Sequence, residues 1–186
     1  MTDPAPLILT LALDPGAFAY FDARRRRHFP PERNLIPAHL TLFHALPGAE
    51  AATILRDIEE AAGRRPPLGL AVTGLRPLGR GVAYRIESPD LAALRRDLAA
   101  RWLHWLTPQD RGRHQPHVTV QNKVDPAVAR ATLAALEAAF TPFAATAHGL
   151  DLWRYRGGPW EAVAHVAFAA PLSFRGRAAE PGTHNR

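Results

Sequence analysis

Apolar positions along the chain recur at two spacings, and the changes between them divide it into elements. Residues 7–13, LILTLAL, form an apolar, partly β-branched run that predicts a first strand. Residues 16–28, GAFAYFDARRRRH, read as a helix that Pro30-Pro31 ends. AHLTLFHAL (38–46) predicts a second strand, and AEAATILRDIEEAAGRR (49–65) an amphipathic helix carrying Ile54, Leu55 and Ile58. LGLAVTGLRPLGRGVAYRIES (68–88) reads as two strands about a glycine-containing turn. In PDLAALRRDLAARWLHWL (89–106), Leu91, Leu94, Leu98, Trp102 and Trp105 trace one helical face, the mark of a core-facing stripe. The polar stretch TPQDRGRHQP reads as a loop before a strand at HVTVQ. A helix over 126–140 follows, then a hairpin over 143–168 with Gly157-Gly158 at its turn. The last dozen residues lack an apolar pattern and predict a loose tail.

The two halves of this pattern match. His39-Leu40-Thr41-Leu42 and, 78 residues later, His117-Val118-Thr119-Val120 each stand on a predicted strand. Each is followed by a helix and then by a strand pair whose first strand holds Gly-Leu, with 35 residues from His39 to Gly74 and 32 from His117 to Gly149. Equal order and near-equal spacing predict an internal duplication. A unit of roughly 75–80 residues is too long for an ordinary solenoid, so two copies point to a bilobed molecule. The strand pairs are close in sequence and so mainly antiparallel. The expected fold class is α+β: one bilobal, mainly antiparallel domain over 1–172 and a tail over 173–186.

Alternation along a strand puts His39 and Thr41 on one side and Leu40 and Leu42 on the other, and the same holds for His117 and Thr119 against Val118 and Val120. A pseudo-twofold axis would converge the two His-Thr pairs on one cleft. Two imidazoles flanking a substrate suit paired acid–base work, because both protonation states are available near neutrality. One takes a proton from the attacking water or hydroxyl, and the other gives one to the leaving oxygen. The threonine hydroxyls can donate to non-bridging phosphoryl oxygens. Such a site asks for no metal, no cofactor and no covalent enzyme intermediate, and in-line displacement at a phosphodiester fits it.

With two His-x-Thr motifs in matching strand contexts, residues 5–170 resemble the 2H phosphoesterase superfamily, also called the 2′-5′ RNA ligase family. The resemblance implies a bilobal α+β fold with two antiparallel sheets lining a central cleft and helices outside. It also implies metal-independent action on 2′,3′-cyclic phosphates or on other nucleotide and RNA phosphodiesters, with His39, Thr41, His117 and Thr119 as catalytic residues. The RNA-ligase branch often has an arginine shortly after the second motif. Here the chain continues Gln121-Asn122-Lys123, and alternation assigns Gln121 and Lys123 to the face of His117, so Lys123 is a candidate for the missing cation. The same counting assigns His44 to the face opposite His39.

Composition changes this picture little. Of 186 residues, 47% are apolar and 22% charged, as in an ordinary globular protein, and no stretch nears the 18 consecutive apolar residues of a spanning helix. The absence of cysteine excludes disulfides, thiolate zinc sites and a Cys nucleophile, and a cytoplasmic setting is the default expectation. The formal charge of +6 is carried almost wholly by arginine, since Lys123 is the only lysine. Arginine's planar fork suits phosphate, which favours a nucleotide or RNA partner over a membrane, and no protein partner is implied. Arg24 to Arg27 point around much of their helix and read as a solvated helix end, or as a basic rim attracting RNA. Tyr84, Tyr155 and Arg156, from the two predicted hairpins, are the candidates for base stacking and phosphate contact. His39, His114 and His117 lack a nearby carboxylate and any recognised ligand spacing for a metal. No Gly-rich loop ends in Lys-Ser/Thr, which excludes a P-loop ligase. The remaining alternative is an RNA-binding or ligase-like protein with little hydrolytic turnover.

Overall fold

In the computed structural model, which describes residues 3–169, helix starts are written in one recurring dipeptide: a capping side chain followed by proline. Asp14-Pro15 opens α1 (Pro15–His28), Ser88-Pro89 opens α3 (Pro89–Arg101), Thr107-Pro108 opens α4 (Pro108–Arg111) and Asp125-Pro126 opens α5 (Pro126–Ala138). In each, the cap oxygen accepts from a backbone N–H two or three residues on, while proline's fixed φ and missing N–H suit the first turn. Only α2 (Ala51–Gly63) starts differently, from a 3-10 turn. The one-turn α4 lies inside the stretch expected to be loop; its signal was Thr107-Pro108. The helix expected over 89–106 stops at Arg101, and the next residues form tight turns in which Trp105 N–H bonds to Trp102 O at 2.8 Å.

The strands are β1 (Leu7–Leu13), β2 (Leu40–Leu46), β3 (Leu68–Pro77), β4 (Val82–Glu87), β5 (His117–Gln121), β6 (Phe143–Arg154) and β7 (Glu161–Ala167), and all their pairings are antiparallel. They run in the order β2-β1-β6-β3-β4-β5, with β7 on β6. The 12-residue β6 joins the halves: its first part pairs β3, its second pairs β7, and β1 runs along its other edge. The two expected sheets are thus two halves of one seven-stranded sheet. The duplicated units β2-α2-β3-β4 and β5-α5-β6-β7 are interleaved in it. β5 lies beside β4 of the first unit, and β2 reaches the second unit's β6 through β1.

Two apolar layers hold this sheet. Tyr20 and Phe21 of α1 meet Tyr84 of β4 and Phe143 of β6, with ring centroids 4.7–6.0 Å apart, and Phe140 closes the cluster. Leu91, Leu94 and Leu98 of α3, and Trp102 just after its end, are buried as the periodicity requires. Trp102 packs 5.1 Å from Phe43 and donates from Nε1 to Asp57 of α2 at 2.8 Å. Truncating an aromatic of this kind costs about 3–5 kcal/mol. The sheet's outermost strands, β2 and β5, come into contact with each other, which puts the two motifs together. The tail expected over 173–186 lies outside the described residues.

Candidate active site

Both motif strands carry the same local irregularity. The register of β2 against β1 slips between Thr41 and Phe43, and that of β5 against β4 slips between Thr119 and Gln121. Leu42 and Val120 are therefore extra residues, each three after its histidine, and such bulges re-aim the side chains that follow. Leu40, Leu42, Val118 and Val120 are buried, while His39, Thr41, His117 and Thr119 are half-buried and turn toward the cleft, as alternation predicts. Beyond the bulge alternation fails. His44 comes to the cleft side, correcting its expected placement opposite His39, and Asn122 occupies the equivalent position after His117.

The two imidazoles are held in the same way. Nδ1 of His39 donates to Pro37 O at 2.8 Å, and Nδ1 of His117 donates to Gln115 O at 2.7 Å. Each bond spans two residues and fixes one tautomer, so Nε2 is the free ring nitrogen of each neutral ring. A free Nε2 takes a proton as a base and, once protonated, gives it as an acid. Burial above all lowers the pKa of His39, to about 4, with the positive charge of Arg25 adding to it and the bond to Pro37 O opposing it. His117 is lowered mainly by burial as well, and its charged neighbour is Arg76. His114 is lowered too, chiefly by burial.

Basic side chains brace both strands from behind. Arg25, 4% exposed, donates from Nη1 to Thr119 O at 2.9 Å and from Nε to Ile36 O at 3.0 Å. Arg95 donates from Nε to Leu42 O at 2.8 Å and from Nη2 to Asp110 O at 2.6 Å. His114 Nε2 bonds to Thr41 O at 3.0 Å. The Asp110 carboxylate, 1% exposed, accepts from the backbone N–H groups of His44 and Ala45 and from Nδ1 of His44 at 3.0–3.1 Å. The loop leading to His117 is thereby fastened to the strand of His39.

The space on either side of the histidines differs in chemistry. On the His39 side, the Trp160 ring lies 4.7 Å from the imidazole, and Trp153 stands 6.2 Å behind it with Nε1 bonded to Thr10 Oγ1. A cavity of about 340 Å³ opens there, walled by Phe18, Leu35, Ile36, Trp153, Pro159 and Trp160. On the His117 side, a hollow of about 390 Å³ is lined by Thr41, His44, Arg76, Arg95, Arg113 and His114.

Of the other predicted contacts, Tyr155 stands on the rim of the His39 side, 42% exposed. Tyr84 does not reach the cleft. It is 1% exposed inside the aromatic cluster, and burial, with Tyr20 against it, pushes its phenol pKa up. Lys123 points to solvent from the turn after β5, at φ 64°, because the bulge ends the alternation on which its placement rested. Gln121 is likewise lost to the core, where Nε2 donates to Thr132 at 2.9 Å. Arg156 is exposed and pairs with Asp3 and Glu161. Nothing in the sequence separated Trp160 and Arg76 from the other aromatic and basic residues of the two hairpins, or marked His44 as a site residue. For the two bracing arginines helical spacing carried an unused signal: Arg25 lies four residues from buried Phe21, and Arg95 four from buried Leu91. Among the described residues, no group of three or more His, Asp or Glu is placed to hold a metal ion, and no helix is long and apolar enough to cross a membrane.

Two motif strands brought together from interleaved repeats, each presenting a free Nε2 and a threonine to one cleft, define the 2H class of phosphoesterase architecture. The chain belongs to the 2′-5′ RNA ligase superfamily, whose family model matches residues 13–159, a span containing both motifs. The fold is similar to that of TT0787 of Thermus thermophilus, at TM-score 0.65 and 16% identity over 89% of this chain and 98% of that one. It is also similar to E. coli LigT complexed with 3′-AMP (TM-score 0.56, 22% identity, 89% and 99% coverage) and with NADP+ (TM-score 0.54, 21% identity, 89% and 99% coverage). No curated protein matches the chain.

Proposed function

We propose that the protein is a cytoplasmic, metal-independent phosphodiesterase acting on 2′,3′-cyclic phosphates or related nucleotide and RNA phosphodiesters. The observation that carries this reading is the matched pair of tautomer-fixing bonds, which leaves one free Nε2 on each of His39 and His117. Water attacks phosphorus in line and its proton passes to Nε2 of one histidine. The bond from phosphorus to the leaving ribose oxygen breaks, and that oxygen takes the proton carried by the other histidine. The product is a phosphomonoester, and the site returns to its starting state by exchanging one proton with solvent. Thr41 and Thr119 hydrogen-bond the non-bridging oxygens as charge gathers on them. Trp160 and Tyr155 offer aromatic faces for a base beside His39. The E. coli LigT complex with 3′-AMP supports a nucleotide as the occupant. Run in reverse, with a ribose hydroxyl as nucleophile, the same machinery joins RNA ends, which is the ligase-like alternative.

The test is turnover of 2′,3′-cyclic nucleotides and 2′-5′-linked dinucleotides in EDTA, followed by ³¹P NMR. A phosphomonoester that forms in EDTA, and is lost in both His39→Ala and His117→Ala, is the expected result. Activity abolished by EDTA would overturn the metal-independent mechanism.

A further inference from the structure

The hollow beside His117 holds more positive charge than one phosphate requires. Arg76 is half-buried there and its side chain makes no hydrogen bond or ion pair among the described residues; Arg113, exposed at the mouth, has no such side-chain partner either. Arg95 adds its charge from behind, with its N–H groups engaged by backbone carbonyls. His44 stands on the same wall with Nδ1 bonded to Asp110, so Nε2 is the nitrogen it presents. Against these groups the hollow has one carboxylate, Asp110, which is buried and already accepts from His44 and Ala45. Glu87 lies in the adjoining hollow beyond Arg76 and accepts from Thr73.

The aromatic wall lies on the opposite side, beside His39. A nucleoside whose base stacks there sets its reacting phosphate between the histidines. What enters the His117 side is then the group on that phosphate's other ester oxygen. Water alone would need no arginines there. We propose that this hollow, through Arg76 and His44, binds a second phosphate, one carried by the nucleotide beyond the scissile bond. This rests on the phosphodiesterase reading and makes linear diesters that continue past the cleaved linkage the preferred members of its substrate class.

The probes are the 2′-5′-linked dinucleoside monophosphate of adenosine with and without an added phosphate on its second nucleoside. In the wild type, the added phosphate raises kcat/KM about tenfold or more, the worth of one or two charge-assisted hydrogen bonds. Arg76→Met and His44→Gln bring that ratio close to one. Arg130→Met, which removes an exposed charge on α5, leaves it unchanged and controls for nonspecific attraction. Arg76 has no described partner to lose, so its variant remains informative if His44→Gln disturbs the Asp110 fastening. A ratio equal in all four proteins would overturn the subsite while leaving the activity standing. Should the wild type turn over neither compound, the activity fails instead. Both compounds are then stable enough for calorimetry, where the same ratio of affinities decides the subsite.

Discussion

The two sides of the cleft share a frame and differ in everything placed on it. Each has a His-x-Thr strand with a bulge three residues after the histidine, and each has an imidazole whose Nδ1 bonds to the carbonyl two residues back. Beyond that frame, the His39 side is mainly aromatic, with Trp160, Trp153 and Tyr155 beside Arg25 and Arg33, and the His117 side is cationic without aromatic rings other than histidine, with Arg76, Arg95 and Arg113. At equivalent positions after the bulge stand His44 and Asn122, one facing each side. The lesson is a division of labour. Chemistry at phosphorus needs two similar groups and keeps the symmetry. Orientation of the substrate needs two different surfaces, and those come from elements outside the motifs.

The sharpest way to break this comparison is to remove each histidine in turn. His39→Ala and His117→Ala should each cut kcat by about 10²–10⁴ with the fold intact, as measured by single-turnover kinetics and melting. If one variant kept its rate, the shared frame would not be a shared mechanism. Next comes Asp110→Asn, which replaces a buried acceptor with a group that also donates. It should cost about 2–3 kcal/mol in denaturant unfolding, because donors of His44 and Ala45 lose their carboxylate. An equal loss from Trp160→Ala would remove the contrast between a fastened side and an open one. For Trp160→Ala we expect KM for adenosine 2′,3′-cyclic phosphate to rise about tenfold or more, with no change for glycerol 1,2-cyclic phosphate, which has no base.

The remaining predictions concern pH. His39 has an ordinary value of 6.5 and a native value of about 4. Between those values the unfolded chain binds a proton that the native protein does not. The stability contributed by neutral His39 is therefore full above 6.5, declines as pH falls through that window, and is lost by about 4. His39→Gln should flatten this part of the pH–stability curve, measured by urea titration. With His117 lowered as well, kcat/KM should be greatest on the acid side of 6.5. Removing the charge of Arg76 as Arg76→Met should move one limb of that profile upward, the direction set by losing a nearby cation.

The fold was legible because its signals are local. Apolar runs marked the strands and Leu91, Leu94 and Leu98 marked a helix, whereas one-turn α4, opened by Thr107-Pro108, was not among the expected elements. The joining of both sheet halves through β6 was not legible, because it depends on which strands neighbour one another across the duplication. The four motif residues could be read because they precede the bulges. His44, Gln121 and Lys123 follow them, and one inserted residue reverses every assignment made by alternation. Tyr84 was misread for a different reason. An aromatic on a strand can face the cleft or a helix, and the choice belongs to α1, whose Tyr20 and Phe21 cover it.

The most direct test is a crystal structure of the protein with adenosine 2′-monophosphate. The account predicts phosphate oxygens within about 2.6–3.2 Å of Nε2 of both His39 and His117, with the adenine stacked on Trp160. An adenine lying instead over Arg76 and His44, or a phosphate touching only one of the two histidines, would contradict it.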